Sequence, residues 1–111
     1  MKIFDTMTAI YLLNENIESK SLKYLAETIL HVPKEQIQKY DEVDKDNFVE
    51  FAEYGMRDAI WTYQLYQKFE PALAKENLEN LFWKCEMPFV WCMVELAING
   101  MKADVTLLEE M

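Results

Sequence analysis

The chain has 111 residues, 51% of them hydrophobic and 14% aromatic, and a formal charge of −9 from 20 acidic and 11 basic side chains. That is one domain's length with ample material for a core, which excludes a two-domain layout and a disordered chain. The charge also excludes a free-standing duplex binder, because affinity for phosphate backbones comes largely from Lys and Arg. An acidic excess of this size reads as a solvated surface.

Two glycines and three prolines leave little punctuation, so long helices are expected. "KIF" reads as a short strand ending at Asp5. "DTMTAIYLLN" follows as a helix capped by Asp5 or Thr6, with Met7, Ile10, Tyr11 and Asn14 at helical spacing. After the polar link "NENIESK", "SLKYLAETILHV" starts at a serine cap and carries Leu22, Leu25, Ile29 and Leu30 on one side. Pro33 separates it from "KEQIQKY", a short helical piece at best, and "DEVDKD" is an acidic turn. His31 stands alone beside an apolar helix end, which suits packing or helix termination better than catalysis.

The longest element starts near Asp46 and carries Phe48, Phe51, Ala52, Gly55, Ala59, Thr62 and Tyr66 at three-and-four spacing towards Phe69. Pro71 should end or bend it. Leu78, Leu81, Phe82 and Cys85 open a further amphipathic run, kinked at Pro88, through Val90, Val94, Ala97 and Ile98. "NG" at 99–100 is a stop signal, "MKAD" an extended link, and Asp104 caps a last helix, "VTLLEEM". That helix breaks off in mid-pattern, so the chain reads as part of something longer.

Cys85 and Cys92 are seven apart on one predicted helix, about 10 Å between backbones and too far for a disulfide. Buried, reduced thiols are expected. Trp61, Trp83, Trp91 and the seven methionines fall mostly in helical stripes and are expected in the core. With no apolar run of membrane length and no basic-then-apolar N-terminus, the expectation is a soluble, cytoplasmic chain.

In "EYGMRDAIW" (53–61), Tyr54 and Asp58 sit at i and i+4, side by side on one helix face. An aspartate there can ligate a hard divalent cation while the phenol holds a water beside it. The competing reading is a tyrosine in a helix seam and an aspartate in water. Six tyrosines and six aspartates would yield about 0.3 such pairs by accident, so spacing alone favours the second reading. Tyr40 and Asp44 satisfy the same spacing in "YDEVD", a stretch where no helix fixes their geometry.

Four segments in order change that balance. "FDTMTAIYLLN", "SLKYLAETIL", "AEYGMRDAIWTYQLYQKF" and "EMPFVWCMVELAINGMKAD" together span nearly the whole chain. They resemble the 3′–5′ exonuclease region of family A DNA polymerases, the bacterial DNA polymerase I type, running into the start of the polymerase part. Ribonuclease D is similar in its "FDT" and tyrosine–aspartate segments but lacks the "EMP…NG…D" stretch.

The resemblance implies a mostly α-helical chain with at most one or two short strands, part of an α/β ribonuclease-H-like fold. It implies residues 1–76 as the C-terminal part of the exonuclease domain and 77–111 as the start of the polymerase, on its thumb side. It makes Asp58 a metal-binding carboxylate and Tyr54 the residue that orients the attacking water, with two divalent ions, Mg2+ or Mn2+, in the parent family. The DNA 3′ end is the family's partner. The family's other carboxylate motifs should lie upstream of residue 1, and Asp5, in the later "FDT" segment, does not replace them. The expectation is therefore a chain that alone binds no metal stably, binds nucleic acid weakly or not at all, and has no nuclease activity. Self-association, or association with the missing polymerase segments, is expected of its uncovered apolar surface. Two other readings stand beside this one: an independent acidic helical protein-interaction module, and a ribonuclease D-like fragment.

Overall fold

A computed structural model describes residues 2–111. Asp5 starts the first helix: its carboxylate accepts from the Met7 N–H at 3.0 Å and from the Thr8 hydroxyl at 2.8 Å. Helix α1 spans Thr6–Leu13. Ser21 opens α2 (Leu22–Thr28) in the same way, accepting from the Tyr24 N–H. His31 then takes φ 58°, the left-handed conformation that turns the chain away, so its role is helix termination. Short 3-10 turns at Lys34–Gln36 and Tyr40–Glu42 lead to α3, Phe48–Lys75, capped by the Asn47 side chain on the Glu50 N–H.

Of the two outcomes expected at Pro71, an end or a bend, the end does not occur: helix α3 runs through it. Pro71 and Gln67, whose carbonyl loses its partner, both lie exposed, so water can satisfy the freed group. Phe69 and Leu73 on the opposite face are buried and hold the last turn in place. The helix closes as a Schellman motif: Asn77 is left-handed at φ 59°, Leu78 N–H bonds Leu73 carbonyl, and Asn77 N–H bonds Ala74 carbonyl.

The next helical rod has three parts: α4 (Glu79–Leu81), a π-helical turn at Phe82–Glu86, and α5 (Met87–Asn99). The π turn ends at Glu86, two residues before Pro88. With the Met87 N–H bonded back to the Phe82 carbonyl, the widened turn makes room for a ring that would clash in a regular helix. Gly100, at φ 71° and ψ −174°, stops α5 in a conformation almost confined to glycine. Asp104 caps α6 (Val105–Glu110) through the Leu107 N–H.

The described residues contain no strand, and "KIF" is irregular. The chain is mostly α-helical, as the sequence implies. Its core forms where α1 packs on α3 and on the π turn, around Ala9, Ile10, Leu25, Leu65, Phe69, Leu73 and Phe82. Phe82 is 0% exposed, and its ring meets Phe4 at 4.7 Å and Trp83 at 4.9 Å. Burying such a ring contributes about 1.5–3 kcal/mol. Beyond that core the structure is open: the radius of gyration is 18.0 Å, against about 13 Å for a compact domain of similar length.

Several sequence expectations about burial are corrected. The buried stripe of α3 is Trp61, Leu65, Phe69 and Leu73, whereas Phe48 and Phe51 are exposed, because only the C-terminal half of α3 meets α1 and the π turn. Cys85 and Cys92 are free, as expected, but exposed. Trp61 is buried and Trp83 half-buried, while Trp91 is 56% exposed. Among the methionines Met87 is buried; Met7, Met56, Met93, Met101 and Met111 are exposed, and Met1 lies outside the described residues. Along 89–98 Val90 packs against the core, while Phe89, Trp91, Met93, Val94, Leu96 and Ile98 are exposed on several sides of the helix.

Tyr66, at the edge of the core with its ring edge-on to Phe4, has a phenol held above its ordinary value of 10.0. The first cause is its hydrogen bond to Glu70, then partial desolvation and the charges nearby. A raised pKa means the interaction stabilises the fold while the phenol is protonated and is lost as pH rises through that pKa. In an NMR titration of tyrosine ring carbons, Tyr66 is expected to ionise above the ordinary value of 10.0. Glu70→Gln should move it back towards 10.0.

Candidate functional site

Residues 54, 58 and 61 of α3 lie on the same side as the core stripe, one to two turns nearer the N-terminus. There α3 faces α2. The side chain that α2 sends across is Lys23, from its second residue. The Lys23 ammonium pairs with the Asp58 carboxylate. It also lies 4.3 Å from the Tyr54 ring centroid and 5.2 Å from that of Trp61. Lys23 and Asp58 are 27% and 30% exposed, so the pair is mostly withdrawn from water.

The spacing argument places Tyr54 and Asp58 correctly relative to each other: both point to one side of a continuous helix. The rival pair fails geometrically. Tyr40 is in a 3-10 turn, and Asp44 is spent in the following turn, accepting from the Asp46 N–H at 3.0 Å. Tyr40 nevertheless reaches the site, its ring 6.3 Å from that of Tyr54, with the Lys45 ammonium 4.0 Å away on Tyr40. Below the site, the Thr62 hydroxyl donates to the Asp58 carbonyl, and Arg57 pairs loosely with Glu53 on the exposed side.

Lys23 is the residue that the sequence reading missed. It lies 35 positions from Asp58, and no local pattern links them. One signal was present: a lysine in the first turn of a helix opposes the helix dipole and calls for an anion nearby.

The donor set does not fit a divalent ion. Mg2+ seeks near-octahedral oxygen coordination, and Mn2+ likewise favours oxygen ligands. Among the described residues no three His, Cys, Asp or Glu side chains converge. At Asp58 the neighbours are an ammonium and two ring faces.

The family model for the 3′–5′ exonuclease of family A DNA polymerases matches residues 1–74. The chain belongs to this exonuclease family. Tyr54 and Asp58 both fall inside the matched stretch. The chain is similar to the DNA polymerase I of Borreliella burgdorferi, 34% identical over 91% of this chain and 12% of the relative. It is also similar to the DNA polymerase I of Chloroflexus aurantiacus, 27% identical over 97% of this chain and 12% of that relative. The chain thus spans about an eighth of the length of these curated relatives. No solved structure matches it significantly. No helix of the described residues is long and apolar enough to cross a membrane.

A partly exposed pair with a good partner couples by about 0.2–1 kcal/mol, and a ring face adds about 0.5–1 kcal/mol. A double-mutant cycle of Lys23→Met and Asp58→Asn, read by urea unfolding, should return a coupling of about 1 kcal/mol. Zero coupling would mean that the pair does not hold α2 on α3.

Proposed function

We infer that the chain is a fragment of a DNA polymerase I-like protein and that it is catalytically silent alone. On this reading residues 1–76 are the C-terminal part of the 3′–5′ exonuclease domain, and 77–111 begin the polymerase on its thumb side. Tyr54 and Asp58 are this segment's contribution to a proofreading site acting on a DNA 3′ end in the cytoplasm. The remaining carboxylates come from polypeptide outside the chain. The observation that carries the silence is at Asp58: among the described residues no three His, Cys, Asp or Glu side chains converge, and Asp58 is already paired with Lys23.

The apolar surface beyond the core supports a missing neighbour. Trp91, Leu96, Ile98, Leu107 and Leu108 are all exposed along α5 and α6, with Ile98 at 78%. Apolar exposure of this extent is unusual on a self-sufficient soluble domain. The same face favours a second reading, an acidic helical module that binds a protein partner, with its nuclease-like residues retained only by ancestry.

Adding the missing exonuclease polypeptide in trans separates the two. The chain alone should leave a 3′-mismatched, labelled primer intact in Mg2+ or Mn2+. The mixture should shorten it from the 3′ end, and Asp58→Ala should return the mixture to background. Shortening by the chain alone would overturn the silence, and a mixture that stays inert would favour the interaction module. By size-exclusion chromatography the isolated chain should elute as more than a monomer and bind an apolar dye. A clean monomer without dye binding would count against an uncovered docking face.

A further inference from the structure

Between Met87 and Asn99, helix α5 carries a single charged residue, Glu95. Its buried Met87 is followed at intervals of four, three and four by Trp91, Val94 and Ile98. That is the spacing of a seam that meets another helix. Phe89, Met93 and Leu96 lie on the far side. At the base of the seam is a groove lined by Lys2, Ile3, Trp83, Met87, Pro88 and Trp91. Lys2 is the charged residue of that lining, its ammonium 5.1 Å from the Trp83 ring centroid. Among the described residues neither Lys2 nor Glu95 has an ion-pair partner in its own chain.

Seam and groove are complementary when one copy meets another. With a second rod laid antiparallel to the first about a two-fold axis at Trp91, helix pitch sets the rest. The two Trp91 rings meet at the centre, where a large aromatic anchors an interface best. Val94 and Ile98 of each copy run over Trp83, Met87 and Pro88 of the other, and Glu95 comes to the Lys2 rim. From Met87 to Ala103 the chain holds one acid and one base, Glu95 and Lys102, so this stretch escapes the repulsion that a charge of −9 imposes elsewhere. From Trp83 to Ile98 the rod offers about 24 Å of contact, one helix wide. A strip of that size is below the roughly 800 Å² per partner of a stable complex, so the pair should be reversible, with a dissociation constant of about 1 µM or weaker.

We propose that the seam of α5 and the groove at its base form one self-complementary docking surface, occupied by α5 of a second copy in an antiparallel pair about Trp91. The chain then covers in solution part of what its own fold leaves bare. This pairing rests on the uncovered docking face of the proposed function and needs no nuclease activity, so failure of complementation in trans leaves its test intact.

Sedimentation equilibrium of the full 111-residue chain over a dilution series should give a monomer–dimer equilibrium. Ile98→Lys, at a position 78% exposed and outside the core, should weaken the dimer by at least about tenfold. Leu96→Lys, also exposed but on the far side of α5, should leave it within about twofold. Glu95→Lys and Lys2→Glu should each weaken it by about fivefold, and Lys2→Glu/Glu95→Lys should restore it through the reversed pair between copies. A monomer at every concentration would overturn the proposal and leave the face to the polypeptide supplied in trans. Open-ended assemblies, or charge reversal without rescue, would overturn it as well. A dimer broken by Leu96→Lys but not by Ile98→Lys would also overturn it, while the self-association expected of the proposed function would stand.

Discussion

One face of α3 carries both the core and the candidate site. Leu65, Phe69 and Leu73 are buried against α1 and the π turn, and the same line continues through Trp61 to Asp58 and Tyr54, where α2 takes over. The stripe is apolar where a neighbour excludes water and becomes aromatic and acidic where the neighbour is the short, polar start of α2. The positions of Tyr54 and Asp58 are therefore set by the packing of residues a few turns away. Lys23 closes the polar end as Phe82 fills the apolar end. Because the helix is continuous, rotating either half would expose the other.

How much of this was legible follows from how local each feature is. Asp5, Ser21 and Asp104 were readable as caps because a cap needs only its own side chain and the next turn. The shared face of Tyr54 and Asp58 was readable because it depends on helical pitch alone. Gly100 was readable as a stop, although Asn99 beside it keeps an ordinary backbone and belongs to α5. The passage of α3 through Pro71 was not, since it depends on which side of the helix meets water. The burial of α3 was misread for a similar reason: Phe48 and Phe51 have the right period, but that end of the helix meets only the Tyr40 turn and stays outside the core cluster. Lys23 was hidden by distance along the chain, as any partner on a separate helix is.

The π turn links the packed and open halves. Phe82, its first residue, is in the core, and Met87, next after it, is still buried. From there α5 leaves the body, with Val90 the last of its residues against the core cluster. Pro88 and the widened turn sit where the rod passes from one to the other, so a local accommodation of a proline coincides with the end of core packing. The exposed apolar residues of α5 then lie on more than one side of the helix, with Phe89, Met93 and Leu96 opposite Trp91 and Ile98. Apolar exposure of that extent has a cost in water, and the proposed function accounts for it by a neighbour.

The lysines add a last constraint on what the chain can do alone. Lys2, Lys20, Lys23 and Lys45 each lie over an aromatic ring, at 5.1, 5.5, 4.3 and 4.0 Å respectively. Lys34 pairs with Glu27, and Arg57 stands beside Glu53. Cations used one by one in this way, on rings and carboxylates of their own chain, do not add up to a continuous positive track for a phosphate backbone. With a net charge of −9 around them, the proposed function assigns strand capture to polypeptide other than this segment. On the proposed function, this segment's own contribution is narrower: a helix face that presents one carboxylate and one phenol, and a lysine that covers them.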